Sequence, residues 1–245
     1  WNWNTPLVLS PHNPQILYTG AQVLLRSLNR GASWQEISPD LTTNDDGKTF
    51  GRGNIQFCTI TTISESPLSP GVIWIGTLSA GVNKLNLETL QFRTYRHNAS
   101  NPESLASNHV CAFAETPDGM MWVGTWEKGL NRFNPSTGKF KSYLNDPEDP
   151  QSLSSDLVMY LLADENNTLW VGTLGGGLNH LDPNTGKFTR YQNDPSDPAS
   201  LLENQVTYLL RDPDGRLWVA NFLGLSRLDP GASGFVNYPM SAPPV

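Results

Sequence analysis

Tryptophan recurs at a fixed interval of 48 residues through most of this chain. The four tryptophans open closely similar segments, at residues 74–77, 122–125, 170–173 and 218–221. Aromatic pairs follow them at nearly the same interval, and they are Phe92/Tyr95, Phe140/Tyr143, Phe188/Tyr191 and Phe235/Tyr238. A period of about 40–50 residues that is rich in aromatics and turns is typical of β-propeller blades rather than helical solenoids. The repeat therefore predicts an all-β fold.

Each repeat reads as four short strands joined by tight turns. In one of them, residues 158–162, 169–173, 177–181 and 188–191 alternate with turns that contain Asp, Asn and Gly. A single blade cannot bury both of its faces, so we expect the repeats to stack around a common axis. The sequence thus predicts one β-propeller domain of about five four-stranded blades. The blades are expected at approximately residues 1–40, 55–96, 108–144, 156–192 and 204–240.

The first predicted blade departs from the repeat. Residues 27–34 match the Asp-box pattern Ser-x-Asp-x-Gly-x-x-Trp, with Asn29 in the Asp position and Trp34 at the end. In that pattern the Asp or Asn side chain ties a hairpin turn to its own backbone, and we expect Trp34 to pack between strands. Five blades either close by face packing alone or belong to a larger ring, within the usual range of about 4–8 blades. The inner strands are expected near residues 5–10, 55–61, 109–114, 157–162 and 205–210.

Residues 72–240 resemble the two-component regulator propeller repeat of bacterial sensor proteins. The resemblance rests on Asp-Gly-x-Leu-Trp-Val-Gly-Thr, Gly-Gly-Leu-Asn, Asp-Pro-x-Thr-Gly-x-Phe and Asp-Pro-x-Ser-Leu, a pattern that residues 164–201 meet almost fully. It implies a periplasmic or extracellular domain that recognises saccharides ahead of a membrane-spanning kinase. No kinase or DNA-binding segment is recognisable here, so we expect only the recognition part.

Residues 1–76 resemble instead the Asp-box blades of bacterial sortilin-like (VPS10-type) propellers, through residues 3–12, the Asp-box itself and residues 53–60. The two resemblances meet at residues 74–77, a strand that both families share. We therefore expect a recombined propeller, natural or engineered, and an engineered scaffold without a native ligand is one alternative to a sensor. The Asp-box family includes glycoside hydrolases, so a polysaccharide-active hydrolase or lyase is a second alternative.

Charge and composition disfavour several classes of partner. A net charge of −7 and a pI near 5.0 provide no basic stripe for nucleic acid. No stretch approaches the roughly 20 apolar residues of a membrane-spanning helix, so membrane insertion is not expected. Two cysteines cannot form a disulfide framework in a chain of this length, and Cys58 and Cys111 are expected to be free, buried thiols at equivalent positions. The chain opens at Trp1 without a signal peptide, so its location is inferred from resemblance alone.

The sequence contains no recognisable catalytic motif. Glycoside hydrolysis needs two carboxyl groups facing each other across a cleft, whereas most of the 23 acidic residues occupy turns. Glu115 and Glu127 are the least turn-like acids, and nothing in the sequence pairs them. The histidines fall in different repeats without metal-ligand spacing, and only His97 and His109 flank one connector. We expect no catalytic residue, no metal site and no cofactor.

Ligand binding is favoured over catalysis. Propellers bind small ligands where the loops between the second and third strands gather around the channel mouth, and Trp126 and Phe222 lie in two of these loops. An aromatic ring at that place can stack on the apolar face of a sugar, and nearby polar side chains can bond its hydroxyls. The alternative is that these aromatics cover the neighbouring blade. The candidate ligand-binding residues are Trp126, Phe222, Glu127, Lys128 and Asn221.

Overall fold

The computed structural model describes residues 5–41 and 59–240. Within these ranges there is no helix, and twenty strands form five four-stranded antiparallel sheets, so the all-β prediction is confirmed. In every sheet the spatial order of the strands is their order in the chain, which makes each sheet a simple meander. Each of sheets 1 to 4 packs one face on the next sheet along the chain, which is the arrangement of propeller blades.

Sheet 1 consists of β1 (Leu7–Leu9), β2 (Leu17–Gly20), β3 (Leu24–Ser27) and β4 (Gln35–Glu36). Sheet 2 consists of β5 (Ile60–Glu65), β6 (Val72–Thr77), β7 (Val82–Asn86) and β8 (Gln91–Tyr95). Sheet 3 consists of β9 (Val110–Glu115), β10 (Met121–Thr125), β11 (Leu130–Asn134) and β12 (Lys139–Tyr143). Sheet 4 consists of β13 (Val158–Ala163), β14 (Leu169–Thr173), β15 (Gly177–Asp182) and β16 (Lys187–Tyr191). Sheet 5 consists of β17 (Val206–Arg211), β18 (Leu217–Asn221), β19 (Gly224–Leu228) and β20 (Phe235–Pro239).

The two faces of a sheet carry different parts of the repeat. We call the face with the repeated Trp and Tyr the forward face, because it packs on the next sheet, and the opposite face with the repeated Phe the reverse face. Trp122 on the forward face of sheet 3 lies in one apolar cluster with Val158, Leu161 and Phe188 on the reverse face of sheet 4. Aromatic and aliphatic burial of this kind supplies most of the driving force for folding.

The repeat places a glycine where adjacent sheets approach most closely. A Cβ added to any of four glycines in the second strands would lie 2.6–2.7 Å from a branched side chain at the start of the next inner strand. Real side chains do not come that close, so the position requires glycine. The glycines are Gly20, Gly76, Gly124 and Gly172, and the facing residues are Ile60, Val110, Val158 and Val206.

The Ser-Leu motif of the repeat connects neighbouring sheets through hydrogen bonds and a buried leucine. Leu153 is fully buried, and the hydroxyl of Ser152 accepts a hydrogen bond from the Asp146 N–H at 2.8 Å. The same connector bonds to the outer strand of the following sheet, since the Phe188 N–H donates to the Gln151 carbonyl at 2.8 Å. The connectors around Ser104 and Ser200 repeat these contacts. The motif therefore fixes neighbouring sheets to each other and needs no ligand to explain it.

The structure corrects the register expected for the second blade. Its inner strand begins at Ile60 rather than near residue 55, and Ile60 pairs with Thr77 as Val110 pairs with Thr125. Thr61, and not Cys58, therefore occupies the position of Cys111. Cys58 lies outside the described residues. Cys111 is a free thiol as expected, but it is half-buried rather than fully buried because it faces the central cavity.

The Asp-box turn forms, although its tryptophan is not buried. The Asn29 side chain accepts the Ser33 N–H at 2.9 Å, and the Ser27 hydroxyl accepts the Gly31 N–H at 2.8 Å. Trp34, however, is 40% exposed, so the expectation that it packs between strands is wrong. The physical reason is the shortness of β4, which has only two residues and leaves sheet 1 without a full outer strand.

Candidate functional site

Trp126 lies where β10 ends, beside the start of the inner strand of its own sheet. Its N–H donates to the His109 carbonyl at 3.1 Å, as the N–H groups of Leu78 and Leu174 donate to Thr59 and Leu157 in sheets 2 and 4. The indole stacks on the His109 imidazole, with 5.8 Å between ring centroids and 22° between planes. Trp126 is half-exposed. It therefore contacts its own sheet and leaves part of the ring open to a ligand.

The charged groups around this aromatic pair face solvent. Glu127 and Lys128 are exposed in the loop that follows Trp126. Burial lowers the pKa of His109, and the nearby Glu127 carboxylate opposes that shift without cancelling it. At neutral pH the surface therefore presents a stacked indole and neutral imidazole, with the side chains of Glu127 and Lys128 beside them.

Phe222 is not placed like Trp126, because the loop of sheet 5 is one residue shorter. Asn221 pairs directly with Gly224, and the Phe222 N–H donates to the Glu203 carboxylate at 3.3 Å instead of to a backbone carbonyl. Phe222 is 60% exposed. The Asn221 side chain is buried, and its carbonyl oxygen accepts the Leu223 N–H at 3.1 Å. This oxygen therefore stabilises the turn.

Sheet 4 separates the two halves of the sequence-derived site. Trp126, Glu127 and Lys128 belong to sheet 3, whereas Asn221 and Phe222 belong to sheet 5. Among the residues that the structure describes, no ring contact or hydrogen bond joins Trp126 to Phe222. The five-residue binding site thus stays a prediction, and its sheet 3 half is the part with a built aromatic stack.

The two acids that sequence reasoning considered for catalysis lie at opposite ends of sheet 3. Glu115 ends β9 opposite Met121 at the start of β10, whereas Glu127 follows the end of the same strand. A five-residue strand spans about 17 Å, at roughly 3.3 Å per residue. Glycosidase carboxyl pairs are separated by about 5–9.5 Å. Burial raises the pKa of Glu115, but Glu115 and Glu127 cannot act across one bond.

His97 and His109 do not form a common site. The His97 ring Nδ1 lies 2.9 Å from the Leu105 carbonyl, whereas His109 stacks on Trp126. Among residues 5–41 and 59–240, no group of three or more His, Cys, Asp and Glu side chains is arranged to hold a metal ion. The His109–Trp126 stack was not predicted from the sequence. A signal for it was present, because His109 directly precedes the inner strand of the repeat and Trp126 directly follows the second strand.

A cavity of about 620 Å³ lies between the inner strands of all five sheets. This volume is within the range of about 300–1,000 Å³ that is usual for small-molecule sites. Most of its lining is aliphatic or aromatic, and its polar side chains are Thr62, Ser64, Cys111, Tyr160 and Tyr208. Burial raises the pKa of the Cys111 thiol to about 12, so the thiol stays protonated and is a poor nucleophile. Burial and the adjacent Tyr208 raise the pKa of Tyr160, so that phenol also stays neutral.

Two segments of the chain match a known family. A profile of the two-component regulator propeller family matches residues 104–127 and 200–222. Each segment runs from the Ser-Leu connector through the inner and second strands to the loop aromatic. A search of curated protein sequences gave no significant match. The matched segments carry the regulator-propeller repeat.

Solved structures with the same fold include bacterial sensor domains. The chain is 23% identical to the extracellular domain of BT3049 of B. thetaiotaomicron, described as a hybrid two-component system, with a TM-score of 0.71 over 97% of this chain and 30% of that chain. The corresponding domain of BT4673 is 19% identical, with a TM-score of 0.67 over 96% of this chain and 30% of that chain. The chain thus spans about a third of these domains.

A streptogramin B lyase structure is also similar, at 16% identity and a TM-score of 0.67 over 98% of this chain and 69% of that chain. At these identities the likeness establishes the shared fold. No helix in the described part of the chain is long and apolar enough to cross a membrane.

Proposed function

We propose that this chain is part of a non-catalytic sensing propeller of a bacterial two-component system, located outside the cytoplasm. The matched regulator-propeller segments and the fold shared with extracellular sensor domains support this proposal. The ligand is a saccharide, bound at the loop ends of the sheets. The sortilin-like origin of residues 1–76, and a recombined history of the chain, remain predictions.

One observation carries the ligand proposal, namely the half-exposed Trp126 ring stacked on His109. The stack fixes the indole plane before a ligand arrives, so little rotamer entropy is lost on binding. Sugars present apolar C–H faces that pack on such planes, and the exposed Glu127 and Lys128 side chains can bond the hydroxyls around them. Phe222 and Asn221 would extend the same surface to a longer oligosaccharide.

Binding to a glycan array, followed by titration of the best glycan, tests this proposal. We expect Trp126→Ala to weaken binding by about twofold to tenfold, from the roughly 0.5–1.5 kcal/mol of an aromatic contact. Trp34→Ala is the matched control, because Trp34 is exposed on a distant hairpin of sheet 1. For sheet 5, Phe222→Ala is compared with Leu223→Ala, an adjacent exposed apolar residue.

An array on which no glycan binds would contradict the proposal and favour the scaffold alternative. Equal losses for Trp126→Ala and Trp34→Ala would also contradict it, because the effect would then not belong to the loop-end surface. Turnover of a bound glycan would instead favour the hydrolase or lyase alternative.

A further inference from the structure

The forward face of sheet 5 is built like the forward faces that the other sheets bury. Its second strand carries Trp218 under Arg227 at 5.6 Å, as Trp122 lies under Arg132 at 5.6 Å in sheet 3. Tyr238 on the outer strand and Leu225 on the third strand occupy the positions of Tyr143 and Leu130. The face therefore presents the same apolar side chains in the same geometry.

Those side chains are uncovered in sheet 5 alone among sheets 2–5. Trp74, Trp122 and Trp170 are 2%, 0% and 6% exposed, whereas Trp218 is only half-buried. Tyr208 and Leu210 on the inner strand are 51% and 53% exposed, and Leu225 and Tyr238 are exposed as well. A contiguous apolar face of this kind is unusual on a soluble surface and marks an interaction site.

The four packed interfaces of the chain define what covers such a face. In three of them the forward-face Tyr meets a Phe on the outer strand of the next sheet, at 6.0 Å for Tyr95–Phe140, 6.1 Å for Tyr143–Phe188 and 5.8 Å for Tyr191–Phe235. A glycine at the start of the third strand, or directly before it, joins the contact, and its N–H donates to a connector carbonyl at 2.9–3.1 Å. The three pairs are Gly81–Asn108, Gly129–Asp156 and Gly177–Asn204.

Sheet 1 cannot supply these contacts, either from the same chain or from a second copy. Its outer strand β4 is Gln35–Glu36 and carries no Phe for Tyr238. Its inner strand β1 has three residues, and Leu7 and Leu9 on it are themselves exposed. The chain also aligns with only 69% of a lyase chain of the same fold, so that structure contains more chain than these five sheets.

We propose that the forward face of sheet 5 is the docking surface for a sixth four-stranded sheet of the same repeat, in a ring of more than five sheets. The sixth sheet presents an outer-strand Phe to Tyr238, aliphatic side chains to Trp218 and Leu225, and a connector carbonyl to the Gly224 N–H. Ala220 adds a specific constraint. It replaces the close-approach glycine, so the sixth sheet carries a residue smaller than Val at the start of its inner strand. This inference is independent of the ligand proposed above.

Hydroxyl-radical footprinting of the 245-residue chain, at a concentration where it sediments as a monomer, tests the uncovered face. We expect Trp218 and Leu225 to be modified faster than their counterparts Trp170 and Leu178. In a second chain, a copy of residues 144–191 that carries Val158→Ala follows Tyr238 and supplies a sixth sheet with a small residue opposite Ala220. There we expect Trp218 and Leu225 to lose their extra reactivity and to reach the rates of Trp122 and Leu130, which lie outside the copied segment.

A matched control keeps the length of the extension but spoils its reverse face, with Leu161→Lys and Leu169→Lys in the copied segment only. This extension should leave Trp218 as reactive as in the original chain. Restoring Val158 in the copied segment should weaken the protection, and adding Ala220→Gly should recover it, because Val158 then meets no Cβ.

Three results would overturn the proposal. Protection of Trp218 in the original monomer would mean that sheet 5 is already covered within the chain. Protection that appears together with a dimer would identify a second copy as the occupant. Unchanged reactivity in the intact extension would show that a repeat sheet does not fit the face.

Discussion

Sheets 3 and 5 carry the same repeat in two different environments. In sheet 3 the forward face is sealed by sheet 4, and Trp122 is completely buried. In sheet 5 the equivalent face meets solvent, and Trp218 keeps its local partner Asp212, whose carboxylate accepts the indole N–H at 2.9 Å. The comparison teaches that the repeat specifies the strands and turns of a sheet locally, whereas burial of its aromatic face depends on the neighbour.

The largest expected contrast is between the two tryptophans. Trp122→Ala should lower the free energy of unfolding by about 3–5 kcal/mol, because it opens a cavity in a sealed interface. Trp218→Ala should cost about 1–2 kcal/mol, because the side chain is only half-buried. Urea unfolding of both variants measures the difference, and equal losses would mean that the face of sheet 5 is covered.

The close-approach position gives the second contrast. In Gly124→Ala the new Cβ would lie 2.6 Å from the Val158 side chain. Overpacking of this kind costs about 1–3 kcal/mol. The reverse change in sheet 5, Ala220→Gly, should cost only about 0.5–1 kcal/mol, from the added chain entropy of glycine in a strand. Thermal unfolding followed by circular dichroism resolves these effects. A Gly124→Ala variant as stable as the parent would show that the sheets are not tightly apposed.

An ion pair across a packed interface should matter more than one at the surface. Arg211 of sheet 5 lies 2.7 Å from Asp164 of sheet 4, which also accepts the Trp170 indole N–H at 3.4 Å. Arg211→Ala should cost about 1 kcal/mol, and Lys139→Ala, in the exposed pair with Glu103, about 0–0.5 kcal/mol. Urea unfolding at low and high salt distinguishes the two variants. Salt should appreciably reduce the loss caused by Lys139→Ala, whose ion pair is exposed, and leave that of Arg211→Ala nearly unchanged. Equal costs at both salt concentrations would contradict this ranking.

A pH effect provides the smallest contrast. His180 stacks on Trp170 with 4.2 Å between ring centroids, where sheet 5 has Arg227 over Trp218 instead. Burial lowers the pKa of His180, and its Nε2 is buried without a hydrogen-bond partner among the described residues. The unfolded chain therefore binds the proton more readily, and stability falls as the pH drops below about 6.5.

His180→Gln should flatten the dependence of the unfolding free energy on pH between 7 and 5.5, because the substituted side chain no longer binds a proton on unfolding. Glu115, whose raised pKa acts in the opposite direction, is common to both proteins and cancels from the difference. A His180→Gln profile as steep as that of the parent would show that His180 does not contribute.

The strands and turns could be predicted because they follow from local patterns. The Trp-Val-Gly-Thr strand and the positive φ of Asn167 and Gly215 at hairpin turns are properties of single repeats. The register of the second blade was missed because the hairpin between β5 and β6 is longer than its counterpart in sheet 3, which shifts the inner strand relative to Trp74. The exposure of Trp34 and Trp218 was also missed, since both depend on a neighbouring strand or sheet.

The candidate site was only partly accessible from sequence for the same reason. Trp126 stood out as a break in the repeat, but its stack on His109 requires the pairing of β9 with β10. Phe222 looked equivalent to Trp126, and the one-residue deletion before Gly224 changes its hydrogen-bond partner. A shift of one residue in a hairpin reorients the side chains that follow it, which periodicity alone does not reveal.

Fluorine NMR of the chain labelled with 5-fluorotryptophan tests the central claim most directly, because it reads each indole separately. The shift between H₂O and D₂O reports the solvent contact of every ring, with assignments from single Trp→Phe variants. We expect a clear solvent shift for Trp218 and none for Trp122 and Trp170. A Trp218 signal as insensitive to solvent as that of Trp122 would contradict the account, since the forward face of sheet 5 would then be sealed like the others.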